Sequence, residues 1–109
     1  MGTLLYGNPS LEIAFDDRAL AHLQIVIVAK LRRKESFVFS WTSPVEVGSG
    51  RSAIWIDPSS TLYFRYLGSR LPGINRDWLA VLAMSSNSPG GLVFTTEPAV
   101  VAEVTSSRP

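Results

Sequence analysis

Apolar and polar positions along this chain keep two different periods, and the changes between them divide it into elements. "TLLY" and "LEIAF" flank "GNPS", whose Gly-Asn-Pro chemistry favours a turn, so residues 3–15 read as a hairpin. The period then lengthens: Leu20, Leu23, Ile27 and Leu31 recur at three- and four-residue spacing, the buried stripe of a helix. Asp16 or Asp17 can cap its start by accepting a backbone N–H, and Lys30, Arg32, Arg33 and Lys34 crowd its last turn, where cations complement the helix dipole. The β-branched run "IVIVA" also suits a strand; the start and stop signals decide for helix.

"SFVFSW" alternates Phe37, Phe39 and Trp41 against Val38 and Ser40, a half-buried strand, and "SPVEVGSG" follows as a loop. "RSAIWID" and "TLYFRYL" predict two more strands separated by "PSS". Asn75 caps a second helix, with Ile74 placed to staple onto Leu79 and with Trp78, Leu79, Leu82 and Ala83 facing inward. "SNSPGG" ends that helix, "LVFTTE" reads as a last strand, and "PAVVAEVTSSRP" reads as an extended or disordered tail. The expectation is one α+β domain over residues 1–97 with a tail over 98–109. Its order is ββαβββαβ, with two helices packed on one face of a mostly antiparallel sheet.

Side chains alternate across a strand, so each strand sorts into two faces. Arg65 argues that Tyr63, Arg65 and Leu67 point away from the core, leaving Leu62, Phe64 and Tyr66 inward. Ile54 and Ile56 look inward, which turns Arg51, Ala53, Trp55 and Asp57 outward. The helix-free face then carries Arg51, Trp55, Tyr63 and Arg65, with Ser40 and Thr42 nearby and with Arg70 and Arg76 as further basic contacts. Aromatics beside arginines on an open sheet can stack bases and hold phosphates. The same residue types dominate protein interfaces, and Trp55 with Tyr63 also reads as a plain cross-strand pair.

Charge ranks these readings. Ten Lys and Arg against nine Asp and Glu give a net charge of +1, whereas a non-specific nucleic-acid binder depends on a larger excess for its phosphate contacts. Residues 51–76 nevertheless hold Arg51, Arg65, Arg70 and Arg76 against Asp57 alone. A protein partner or a second copy is therefore the first expectation, and single-stranded nucleic acid the alternative. Hydrophobic residues at 46% and charged ones at 17% argue against disorder of the body. No cysteine is present, which excludes disulfides and thiolate chemistry and fits a cytoplasmic location. The start lacks a basic n-region, and "ALAHLQIVIVAKL" is broken by His22, Gln24 and Lys30, so no signal peptide and no membrane span is expected.

Chemistry is sparse. His22 is the only histidine, and it gathers no Ser-His-Asp set and no ligand set for a metal. Its best companions are Asp16, Asp17 and Arg18 on the same helix. "GSG" and "PGG" lack phosphate-loop spacing, and "RRK" is explained by a helix C-terminus. The expectation is no catalysis and no cofactor.

The segments "LLYGNPSLEIAFDDRALAHLQIVIVAKLRRKESFVFSW", "GRSAIWIDPSSTLYFRYLGSR" and "PGINRDWLAVLAMSSNSPGGL" resemble a family of short actinobacterial proteins of uncharacterised function. These often carry the automatic label "ATP-dependent DNA ligase", so the resemblance implies a DNA-related context. Ligase chemistry itself does not fit. It forms a lysyl-adenylate on a Lys-x-Asp-Gly motif, and neither Lys30 in "KLRR" nor Lys34 in "KESF" supplies one. No carboxylate cluster stands ready for magnesium, and 109 residues are few for such a catalytic domain with its duplex-binding partner.

Overall fold

A computed structural model of the protein describes residues 2–7, 11–42 and 50–98. It runs β1 (Gly2–Tyr6), β2 (Leu11–Phe15), α1 (Asp17–Arg32), β3 (Phe37–Thr42), β4 (Arg51–Ile56), β5 (Leu62–Arg65), α2 (Arg76–Ser86) and β6 (Leu92–Val93), an α+β chain in the expected order. The tip of the first turn, most of the loop before β4 and the tail beyond Pro98 lie outside the described residues.

Both helices begin where capping chemistry places them. Asp16 caps α1 by accepting the Ala19 N–H at 2.7 Å, and Asn75 caps α2 by accepting from Asp77 and Trp78. The "IVIVA" run is helical, because its position in α1 buries Val26 and Ile27 beside Leu20 and Leu23. Asp17 is left over from capping and turns outward to the loop after β5, accepting from the Leu67 and Gly68 N–H groups.

The strands divide into two three-stranded sheets instead of joining in one. β1 pairs antiparallel with β2 and β5, while β3 pairs antiparallel with β4 and parallel with β6. The turn after β4 makes this division. The Asp57 carboxylate accepts from the Ser59 N–H and hydroxyl, and the Ser60 N–H closes onto the Asp57 carbonyl. The chain leaves that turn toward β1, where the Gly7 N–H donates to Thr61 O, and does not fold back on β4. Each helix consequently attends its own sheet, α1 on β1 and β2 and α2 on β6, with the helices packed on each other.

The inner faces meet in one core around Phe39, Leu4, Leu20, Leu23, Ile27, Ile56, Leu82 and Leu92, all fully buried. Phe15 of the first sheet lies 6.1 Å from Phe39 of the second, ring centre to ring centre. The expected strand "LVFTTE" shortens to Leu92–Val93. After Val93, Phe94 swings its ring to 5.0 Å from Phe15, and the Trp78 indole N–H holds the Thr95 carbonyl at 3.1 Å. The Phe94 N–H still donates to Ser40 O at 2.9 Å, and beyond it aromatic packing and one buried donor take the place of the ladder. Lys30 also departs from expectation: it is 7% exposed, with Nζ donating to Glu35 and to Asn87 Oδ1, and does not extend from the last turn into solvent.

Candidate interaction face and the buried histidine

Strand parity holds on both sheets. Trp55 is 55% exposed and Tyr63 56%, Arg51 and Arg65 are exposed, and Ile56 and Phe64 turn inward. Neither outward aromatic lies under a helix. They do not form a cross-strand pair, because β4 pairs with β3 and β5 with β1. They stand on edge strands of different sheets, joined at one point where the Tyr6 hydroxyl donates to the Trp55 carbonyl.

Register fixes what surrounds each aromatic. On the first sheet Glu12, Leu5 and Tyr63 form one row across β2, β1 and β5, and Ala14, Thr3 and Arg65 the next. An apolar centre thus lies between an acid on one edge strand and a base on the other. On the second sheet Trp55 faces Val38, Ala53 faces Ser40 and Arg51 faces Thr42. A shallow hollow of about 370 Å³ lies there between Val38, Ser40, Arg51 and Val93. Among the described residues the ion pairs are Arg18–Glu97, Lys30–Glu35 and Arg33–Glu35, so Arg51 and Arg65 have no carboxylate partner there. Arg70 is exposed in the loop before α2, and Arg76 borders a separate hollow with Ile74 and Leu79.

His22 is fully buried and stacks on Trp78 with ring centres 4.5 Å apart. The Asn75 N–H donates to Nε2 at 2.8 Å, and Nδ1 lies 2.7 Å from the Arg18 carbonyl. A backbone N–H can only donate, so Nε2 is the acceptor and Nδ1 carries the proton toward Arg18 O. The ring is the neutral Nδ1–H tautomer with both nitrogens committed. Its role is to tie the start of α2 to α1. The companions considered for it are occupied elsewhere, Asp16 on the α1 cap and Asp17 on the loop after β5.

Beside His22 is a polar clamp that sequence reading missed. Arg18 donates from Nε and Nη2 to both Glu97 oxygens at 2.8 Å and from Nη1 to the Gly73 carbonyl at 2.7 Å, while Asn75 Nδ2 donates to Glu97 Oε2. The Arg18 guanidinium, with help from Asn75, pulls the Glu97 carboxyl down to about 2. The N–H groups of Gly68 and Leu67 likewise lower Asp17, and the Ser59 hydroxyl and N–H lower Asp57. One signal was in the sequence: Arg18 sits in the first turn of a helix, against the dipole, which calls for an acidic partner.

Among the described residues no group of three His, Cys, Asp or Glu side chains could hold a metal ion, and no helix is long and apolar enough to cross a membrane. No curated protein and no solved structure matches the chain. A family model described as a domain of unknown function, DUF7882, matches residues 1–97, and the chain belongs to that family.

Proposed function

We propose that this domain is a non-catalytic interaction module that self-associates through the outer face of its β2-β1-β5 sheet. The carrying observation is the row Glu12–Leu5–Tyr63 with Arg65 one row away, a face that is complementary to itself. A two-fold axis along β1 lays β2 of one copy over β5 of the other. Each Glu12 then comes within side-chain reach of the other copy's Arg65, and Leu5 and Tyr63 are covered. Trp55 and Arg51 on β4 form a second outward patch for a further protein contact.

Two features support the absence of catalysis. The His22 nitrogens are both used in holding α2, and Lys30 Nζ is engaged by Glu35 and Asn87 beneath the surface, where an adenylated lysine would need a free amine. The DNA-related context implied by the ligase label makes single-stranded nucleic acid the competing ligand. Its stacking platform is weakened by the placement of Trp55 and Tyr63 on separate sheets.

Sedimentation equilibrium tests the reading. Wild type should form a dimer, Tyr63→Asp and Arg65→Glu should each weaken it, and the charge swap Glu12→Arg with Arg65→Glu should restore it. A wild type that stays monomeric at high concentration removes the proposal. Salt-dependent anisotropy of labelled oligonucleotides, lost in Tyr63→Ala, would assign the face to nucleic acid instead.

A further inference from the structure

We propose that the free edge of β2 is a docking groove for an extended peptide from another protein, with alternating apolar residues and a lysine or arginine beside Glu12. The surface is an edge and a cleft that shares Glu12 with the outer sheet face. β2 is the outermost strand of its sheet, and the phase of its ladder follows from one bond. Because Gly7 N–H donates to Thr61 O, Leu5 and Thr3 also turn their peptide groups to β5, and Leu4 and Tyr6 turn theirs to β2. Their partners Ile13 and Leu11 are thereby satisfied, and Glu12 and Ala14 direct N–H and C=O away from the ladder. Among the described residues nothing bonds these groups, and unpaired strand groups of this kind are a template for one more strand.

What faces that edge is a cleft. A hollow of about 320 Å³ lies between β2 and the side chains of Trp41, Thr42 and Phe94. It shares Ala14, Phe15 and Phe94 with a second hollow of about 280 Å³ that runs on to Trp78 and Glu97. The cleft exists because the chain leaves β6 after Val93 and leaves β3 uncovered beyond Ser40 on that side. Aromatic rings line it for apolar side chains. Every charged residue bordering the two hollows is acidic: Glu12, Asp16 and Glu97. Asp16 is occupied as a cap and Glu97 by Arg18, so the carboxylate that meets a cation on the ligand is Glu12, for which the peptide competes with Arg65 of a second copy. The five residues of β2 span about 17 Å, enough to pair with a guest of about six residues.

The test uses the full chain and two labelled hexapeptides, Lys-Val-Thr-Val-Lys-Val and Glu-Val-Thr-Val-Glu-Val, followed by fluorescence anisotropy. The lysine peptide should saturate, and the glutamate peptide should bind about tenfold more weakly, because attraction at the rim becomes repulsion. Ala14→Pro removes an edge donor without touching the β1 ladder and should abolish binding while the protein melts within a few degrees of wild type. Should that variant fail to fold, Glu12→Lys decides, since it should invert the preference between the two peptides. Absence of saturation, or binding unaffected by Ala14→Pro or with unchanged preference in Glu12→Lys, overturns the proposal. So does a peptide-free dimer that Ala14→Pro alone disperses, which would give the edge to a second copy.

Discussion

Replacing His22 by leucine should destabilise the fold through a single orphaned donor. His22 Nε2 is the partner of the Asn75 N–H at the start of α2, and no other acceptor among the described residues bonds that group. The second bond is worth less, because the Arg18 carbonyl lies four residues back in α1 and keeps its helical partner, the His22 backbone N–H. Leaving one buried N–H unpaired costs about 1–3 kcal/mol, and losing the stack on Trp78 adds about 1 kcal/mol. The expected loss is therefore about 2–4 kcal/mol, a fall in melting temperature on the order of 10–20 °C for a domain of this size. Urea and thermal unfolding read the loss, and hydrogen exchange at the Asn75 amide localises it. Glutamine offers an oxygen close to the position of Nε2, so His22→Gln should recover part of the deficit and slow that exchange again. A leucine variant as stable as wild type, or a glutamine variant no better than leucine, would refute the reasoning.

Glu97 and Gly91 give two independent checks. The Glu97 carboxylate titrates from an ordinary 4.5 down to about 2 in the fold. A depressed acid contributes stability that is complete above its unfolded value and disappears as pH falls through the folded one. The stability gap between wild type and Glu97→Gln should accordingly be constant at neutral pH and close between 4.5 and about 2, as acid unfolding curves would show. Because Glu35 titrates down to about 2 as well, only the difference between the two proteins isolates Glu97; a gap independent of pH excludes the clamp as its source. Gly91 has φ 81°, and a Cβ there would lie 2.3 Å from the Val38 carbonyl oxygen. Gly91→Ala should cost at least about 1 kcal/mol for the backbone alone, with more for displacing β3, whereas Gly90→Ala, whose Cβ meets nothing closer than 3.9 Å, should melt like wild type.

The readable part of this fold was what nearest neighbours decide. Capping by Asp16 and Asn75, the stripe of α1, and the outward turn of Trp55, Tyr63, Arg51 and Arg65 depend on spacing and on the chemistry of adjacent residues. Parity along β4 and β5 says which way each side chain points, but it carries no information about which strand lies alongside. The Asp57 turn is local, but the choice of neighbour also rested on the Gly7–Thr61 contact, formed between residues more than fifty positions apart. Phe94 shows the same limit. Its apolar neighbours predict a strand; its N–H still donates to Ser40 O, but its ring goes to Phe15 and Trp78, from distant elements, and the strand ends there. The Arg18 clamp could have been suspected from a cation at the wrong end of a helix, yet Glu97 as its partner could not be named without the fold.

The edges of the two sheets explain why the candidate surfaces lie where they do. A strand edge left long, flat and apolar invites unwanted pairing, and folds blunt such edges. β6 is two residues long and gives way to Phe94, and the Trp55 carbonyl on the outer edge of β4 is taken by the Tyr6 hydroxyl. β5 is four residues long, carries Arg65, and ends where Asp17 takes the Leu67 and Gly68 N–H groups, so it cannot extend. Among the described residues β2 has only one of these devices, the charge of Glu12: it keeps five residues, two outward peptide groups and a cleft lined by aromatics alongside. A single glutamate is a weak gatekeeper against random strands and a good selector for a basic one. On the proposal above, the edge that the fold leaves open is also the one with a charge preference, which a merely unprotected edge would lack.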